Sequence, residues 1–374
     1  MIRANRLWGA GAALLLSAAP VLAGGIERTN QTIAPIFEQG NYLELGFTHV
    51  SPSVSGYDFY PGNPATGDVA KSYGTYSLAY KHDFTPNISG TIILDTPFGA
   101  NIAYPVTGSV MLGNTAVDVK STHVTGILRW RGDNGFGVHG GVRMSRADAT
   151  VDLNGLAYGA VSGYSARMDR DTAWGWLLGV SYEIPDIAAR VALTYNSPIK
   201  HEFRTTEAGL PVPSLNGVSQ TEVHTPRSWN LDFQTGVAAD TLVFGSVRWV
   251  KWSEFKVDPK GFTTVVGEGL VDLEDSTTFT LGVGRKFSDT WSGSASFTYE
   301  KRGRDLVSPL APTSGRKGVT LAAIYTRDNM KLTTGINYTW LGDAKPETST
   351  PDTARAQMED NHALTVGMRL GISF

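Results

Sequence analysis

The residues able to do chemistry are scattered. Seven histidines (His49, His82, His123, His139, His201, His224 and His362) stand singly, without the His-x-x-His or His-x-x-x-His spacing that brings two imidazoles onto one metal ion. No Gly-x-Ser-x-Gly elbow presents a nucleophile, and no Gly/Lys loop cradles phosphate. Cysteine is absent, which excludes disulfides and thiolate metal sites. These absences lead to the expectation of a protein that is not an enzyme and has no cofactor. Charge, by contrast, is patterned. Lys81, Arg143, Arg190, Arg248, Lys286, Lys331 and Arg369 share one parity of alternating segments with Glu44, Asp83, Glu183, Asp232 and Glu300. Most such charges are expected to be salt bridges across a packed interior.

Those charges ride on β-strands. From Leu364 the apolar side chains fall on every second residue (Leu364, Val366, Met368, Leu370, Ile372, Phe374), with Thr365, Gly367, Arg369, Gly371 and Ser373 between them. Trp174 to Ile184 and Ile187 to Asn196 alternate in the same way around Pro185 and Asp186, a hairpin. The pattern returns at Trp229 to Thr235, Trp291 to Tyr299 and Leu332 to Trp340.

Connection lengths set the class. Short turns at 85–87, 132–135, 185–186, 238–240, 288–289 and 327–329 alternate with long links at 55–71, 105–115, 154–166, 207–220, 259–267, 303–313 and 345–358. Six turns and seven loops imply about fourteen strands, with both chain ends on the short-turn side. The expected fold is all-β, a transmembrane antiparallel β-barrel of an outer membrane. In hydrocarbon an unpaired backbone N–H or C=O costs several kcal/mol, so strands cross only as a closed ring. The last strand must therefore pair with the first, "NYLELGFTHV", and Phe374 would be the end recognised by the barrel assembly machinery. A soluble sandwich or propeller shows the same alternation. Aromatics at strand ends (Tyr182, Tyr195, Trp249, Trp252, Trp340) favour the membrane, where they would form a girdle.

The N-terminus carries Arg3 and Arg6, a short apolar run and small residues at Val21 and Ala23, a signal peptide over 1–23. Its removal leaves 30 basic residues against 35 acidic, which offers nucleic acid no footprint.

Five stretches resemble a known family: 174–203 ("WGWLLGVSYEIPDIAARVALTYNSPIKHEF"), 209–213 ("GLPVP"), 225–255, 289–300 and the closing strand. The family is the outer-membrane long-chain fatty acid and aromatic-hydrocarbon transport proteins (FadL-like) of Gram-negative bacteria. The resemblance implies a multi-pass barrel over 41–374 in outer-membrane lipid, with an N-terminal hatch, here 24–40, plugging its lumen. This hatch is shorter than those of better-known members, and the Asn-Pro-Ala often found there occurs instead at 63–65, beyond the first strand.

The resemblance also implies functional residues. An inward kink of the third strand, opening the wall for lateral release, maps to Pro97, Phe98 and Gly99. There the sequence agrees independently: proline gives no ladder N–H and glycine permits a bulge. An apolar landing groove maps to Leu156, Tyr158, Val161, Leu210, Val212 and Leu215, although loops packing on themselves would bury the same residues. Ile33, Ile36 and Phe37 would line a hatch-gated pocket, with Arg143 and Arg248 as cations for a carboxylate. The expected function is passive import of hydrophobic small molecules, most of all long-chain fatty acids. A diffusion porin for small polar solutes is the alternative.

Overall fold

The computed structural model describes residues 26–349 and 351–374. The expected signal peptide and the first two residues of the expected hatch lie outside them. Seventeen hydrogen-bonded strand segments make one sheet, and three prolines or proline-containing links divide what are otherwise continuous staves, leaving a closed barrel of fourteen. We number the staves β1 (Tyr42–Asp58), β2 (Tyr73–Asp83), β3 (Ile88–Asp95 with Gly99–Ala103), β4 (Ala116–Arg131), β5 (Phe136–Leu153), β6 (Tyr164–Ile184) and β7 (Ala189–Asn196 with Ile199–Ala208). The rest are β8 (Gly217–Thr225 with Ser228–Ala238), β9 (Thr241–Val250), β10 (Ser276–Lys286), β11 (Trp291–Glu300), β12 (Arg316–Arg327), β13 (Met330–Leu341) and β14 (Ala356–Ser373).

Closure follows from the pattern at the C-terminus. Leu45 lies opposite Leu370 and Phe47 opposite Met368, so β1 and β14 put apolar residues on the same outer face. The Phe374 N–H donates to the Asn41 carbonyl at 3.0 Å, and its ring stacks on Tyr80. Trp174, 65 % exposed, and Trp176, Trp291 and Trp340 stand outward like a girdle. Trp252 corrects the expectation: it is 1 % exposed, packed edge-on against Phe98 and Phe255. The reason is that β9 ends at Val250, so Trp252 belongs to a loop folded back over the mouth.

Two layers fill the lumen. On the short-turn side, the turn Ala34–Phe37 packs Ile33, Ile36 and Phe37 against Ala79, Ile93, Ile127, Leu177 and Ala192. Arg129 and Arg190 lie over the Phe37 ring at 4.6 and 4.2 Å. Burial pushes the Glu38 carboxyl above its usual range, opposed by Lys331. On the loop side, Trp252, Phe255, Val257, Leu270 and Leu310 form a ceiling continuous with inward residues of the wall.

Two ladders have wide interruptions, apart from the two-residue break between β7 and β8 at Pro226 and Arg227. Between β2 and β3 the last rung is Leu78 with Leu94, while Tyr73 to Ser77 pair only with β1. Against β4, Asp95 faces His123 and Gly99 faces Lys120, so Thr96, Pro97 and Phe98 oppose two residues, a bulge. Between β6 and β7 the rungs stop at Leu177 with Asn196 and resume at Met168 with Thr205. Pro198, which has no N–H, sits in that interval.

Candidate functional site

A cavity of about 70 Å³ lies beneath the ceiling, between the two interruptions. Phe98, Ala100, Val117, Met168, Phe203 and Val223 make its wall, Phe255, Val257, Leu270 and Leu310 its roof, and Ile26 closes one side. Most of this lining offers water no partners. Its polar members are few: Ser121, Ser145, Asp148, His201 and Thr225.

Ile26 belongs to an arm, residues 26–29, that fills the β2/β3 gap from inside. The Gly99 N–H donates to the Ile26 carbonyl at 2.8 Å, and the Arg28 N–H donates to the Pro97 carbonyl at 2.6 Å. The Ser121 hydroxyl replaces the missing rung, accepting from the Phe98 N–H at 3.0 Å and donating to its carbonyl at 2.7 Å. Arg28 crosses the gap to lie 4.2 Å over the Tyr73 ring. A Cβ at Gly99 would stand 2.5 Å from the Arg28 Nε, so a larger residue there would displace the Arg28 side chain from its place over Tyr73. Arm and wall are locked by Glu27, whose carboxylate pairs with the Arg248 guanidinium; both are buried. Arg248 also donates to Ser228 at 3.0 Å and to Asn230 and Gln31.

The expected residues thus separate. Pro97, Phe98 and Gly99 form the wall break, with Phe98 on the cavity. Ile33, Ile36 and Phe37 pack in the layer below and do not touch it. Arg248 has its charge answered by Glu27. Arg143, one pleat below Ser145, donates to Thr125 at 2.9 Å and Asn196 at 3.1 Å. Val161 and Leu210 are buried, with Tyr158 and Leu215 packed against the same core, whereas Leu156 (61 % exposed) and Val212 (44 %) face outward. Self-packing therefore takes most of the loop residues. Burial pushes the Tyr158 hydroxyl upward.

Other residues escaped sequence reasoning. Glu207 accepts from the N–H groups of Gly261 (2.9 Å) and Phe262 (2.8 Å) at the start of helix α1 (Lys260–Val266), and from the Tyr164 hydroxyl (3.0 Å), pinning the roof to β7. Asp58, at the end of β1, accepts from Ser109 at 2.7 Å and from the N–H groups of Val110 and Met111, fixing another loop. On the cavity floor His201 joins Ser145 at 2.9 Å to Asp171 at 2.7 Å. All are single residues bonded to partners far along the chain, which leaves no spacing to read.

Residues 70–374 match the family model of the outer membrane protein transport proteins (OMPP1/FadL/TodX). The chain belongs to this family. FadL/TodX proteins are transport channels for hydrophobic compounds in the outer membrane, not enzymes. Solved structures agree on the fold. A Pseudomonas aeruginosa FadL homologue is 14 % identical with a TM-score of 0.73, covering 91 % of this chain and 92 % of its own. The toluene transporter TodX of Pseudomonas putida is 12 % identical with a TM-score of 0.63 (91 % of each chain). The toluene transporter TbuX of Ralstonia pickettii is 12 % identical with a TM-score of 0.59 (90 % of each). No curated protein matches the sequence.

Proposed function

We propose that this barrel imports small apolar molecules passively, taking them in beneath the loop roof, holding them in the cavity, and releasing them sideways where β3 breaks. The observation that carries the reading is that the gap in the wall is filled by an arm rather than by ladder. Withdrawing residues 26–29 breaks a few hydrogen bonds and one ion pair and leaves every stave in place. A lipid-facing exit suits an apolar cargo, which loses nothing by skipping the aqueous space beyond. The exposed Leu156 and Val212 supply the first apolar contact outside.

Size and charge favour small neutral cargo over the long-chain fatty acids expected from sequence. An apolar cavity of about 150 Å³ holds benzene, so a cavity of about 70 Å³ takes one ring or a short alkyl chain once outward movement of the roof has roughly doubled it. A long acyl chain would require the roof to leave. The cations set aside for a carboxylate, Arg143 and Arg248, both lie outside the cavity lining.

Uptake tests the reading. Cells without a transporter of their own would express the chain and be offered, separately, a labelled monoaromatic hydrocarbon, a labelled long-chain fatty acid and a labelled sugar. Hydrocarbon uptake above the empty-vector level, with the sugar at background, is the expected result. Sugar uptake alone would identify a diffusion porin and sink the proposal; fatty-acid uptake alone would keep the route and overturn the cargo.

A further inference from the structure

Two of the cavity's few polar lining residues, Ser145 and His201, belong to a single hydrogen-bonded line along one edge of its floor, to which β5, β6 and β7 each give a side chain. Ser145 Oγ lies 2.9 Å from His201 Nε2, and His201 Nδ1 lies 2.7 Å from Asp171 Oδ2. Ser145 and His201 are fully buried, and both line the cavity. The interrupted β6/β7 ladder makes the line possible. With no rung at that level, the Glu202 N–H turns to the Asp171 carboxylate at 3.4 Å, and the imidazole is clamped parallel to the Phe203 ring, 5.2 Å between centroids.

The direction of each bond follows from which groups can only accept. A carboxylate has no proton to give, so Nδ1 carries the hydrogen and, in the neutral ring, Nε2 is left as an acceptor. Ser145 then donates its hydroxyl hydrogen to Nε2. That leaves the Oγ lone pairs free to accept, on an oxygen made more electron-rich by the chain behind it. The line is not an acyl-transfer site. Ser145 sits in mid-strand between His123 on β4 and Ala173 on β6, so its own N–H is held in the sheet and cannot serve an oxyanion.

We propose that Ser145, positioned by His201 and Asp171, is an acceptor station that selects apolar cargo bearing one hydroxyl, a phenol being the simplest. This rests on the uptake reading above, since it assumes that cargo occupies the cavity. A purely apolar pocket cannot separate a hydroxyl compound from its methyl isostere by much, whereas one fixed hydrogen-bonding group can.

The experiment is equilibrium dialysis of labelled phenol, anisole and toluene against the purified full chain in lipid nanodiscs, with empty nanodiscs subtracted. Phenol offers a donor, anisole only an acceptor, and toluene neither. Ser145→Ala should weaken phenol binding by about tenfold, the upper end of one hydrogen bond, and leave anisole and toluene within about twofold. Asp171→Asn should weaken phenol alone, by less, and Asp171→Glu should restore it. Circular dichroism of each variant confirms the barrel. Loss of all three ligands in parallel, or of none, overturns the station while leaving the cavity reading intact. A selective loss of anisole overturns the direction of the bond and with it the proposal. Failure of the unaltered protein to bind any of the three removes the cavity reading, and the station falls with it.

Discussion

The β2/β3 gap and the β6/β7 gap both interrupt the wall beside a proline, and both border the same cavity, yet they are closed by different means. At β3 the Ser121 hydroxyl serves Phe98, and the vacant positions of Pro97 and Gly99 are taken by backbone from outside the sheet, the arm 26–29, held by Glu27 to Arg248. At β6/β7 they are met by side chains of the wall itself: Asp171 takes the Glu202 N–H, and the Ser197 hydroxyl takes the Trp176 N–H at 2.9 Å. An arm can leave without unravelling a stave; a side chain cannot leave its strand. The surroundings differ as well. Outside β6/β7 stand Lys200, Glu202, Arg204 and Asp169, which belong with water and headgroups, so that gap offers no passage into hydrocarbon. On the proposed route, a missing rung can serve as a gate only where what replaces it is separable from the wall.

Tethering the arm should have the largest effect. Glu27 and Phe98 face each other as a bridged antiparallel pair, the spacing at which a disulfide closes, and the chain has no cysteine to interfere. A Glu27→Cys/Phe98→Cys variant should lose hydrocarbon uptake under oxidation and regain it with reductant. Uptake indifferent to the redox state would mean that the arm never moves.

Next is the lock itself. Glu27→Gln leaves a buried Arg248 without its carboxylate, a change that costs about 3–5 kcal/mol when such pairs are broken. Amides of residues 26–29 should exchange hydrogen much faster in this variant while those of β6 and β7 do not change, which is a direct reading of the separability argued above. Asp171→Ala should act in the opposite place. It strands the Glu202 N–H and His201 Nδ1, about 1–3 kcal/mol, and should lower the unfolding temperature with little effect on arm exchange. If it freed the arm as well, the two gaps would be one coupled device.

The smallest effect concerns the loops over the roof. Burial, reinforced by Asp352 and Glu268, pushes the Glu347 carboxyl up to about 7. A carboxyl raised in the folded state holds its proton there, so it favours the packed loop below the free value near 4.3. That contribution is lost as pH rises through about 7. Proteolytic nicking at 351–355 should therefore increase from pH 5 to pH 8, and Glu347→Gln should flatten the profile. A flat profile in the unaltered protein would detach the loop from Glu347.

Much of this was legible beforehand, and the reasons are local. Alternation from Leu364 to Phe374 is a statement about two faces of one strand, and turn and loop lengths fix how strands follow one another. Pro97 lacks an N–H wherever it sits, so a break in β3 could be read before any coordinates. Pro198 carries the same signal, and only its setting inside an alternating stretch hid the second gap. Trp252 misled because an aromatic at a strand end reads alike whether it turns out to the interface or back over the mouth.

What sequence alone determined is therefore the barrel, its closure by the last strand, its sidedness and the defect at Pro97, all consequences of period two and of compulsory backbone pairing. Tertiary structure decided the site. Glu27 meets Arg248 across 221 positions, and Ser145 meets His201 across 56. Curvature of the closed sheet brings such residues together, and no spacing along the chain records the curvature.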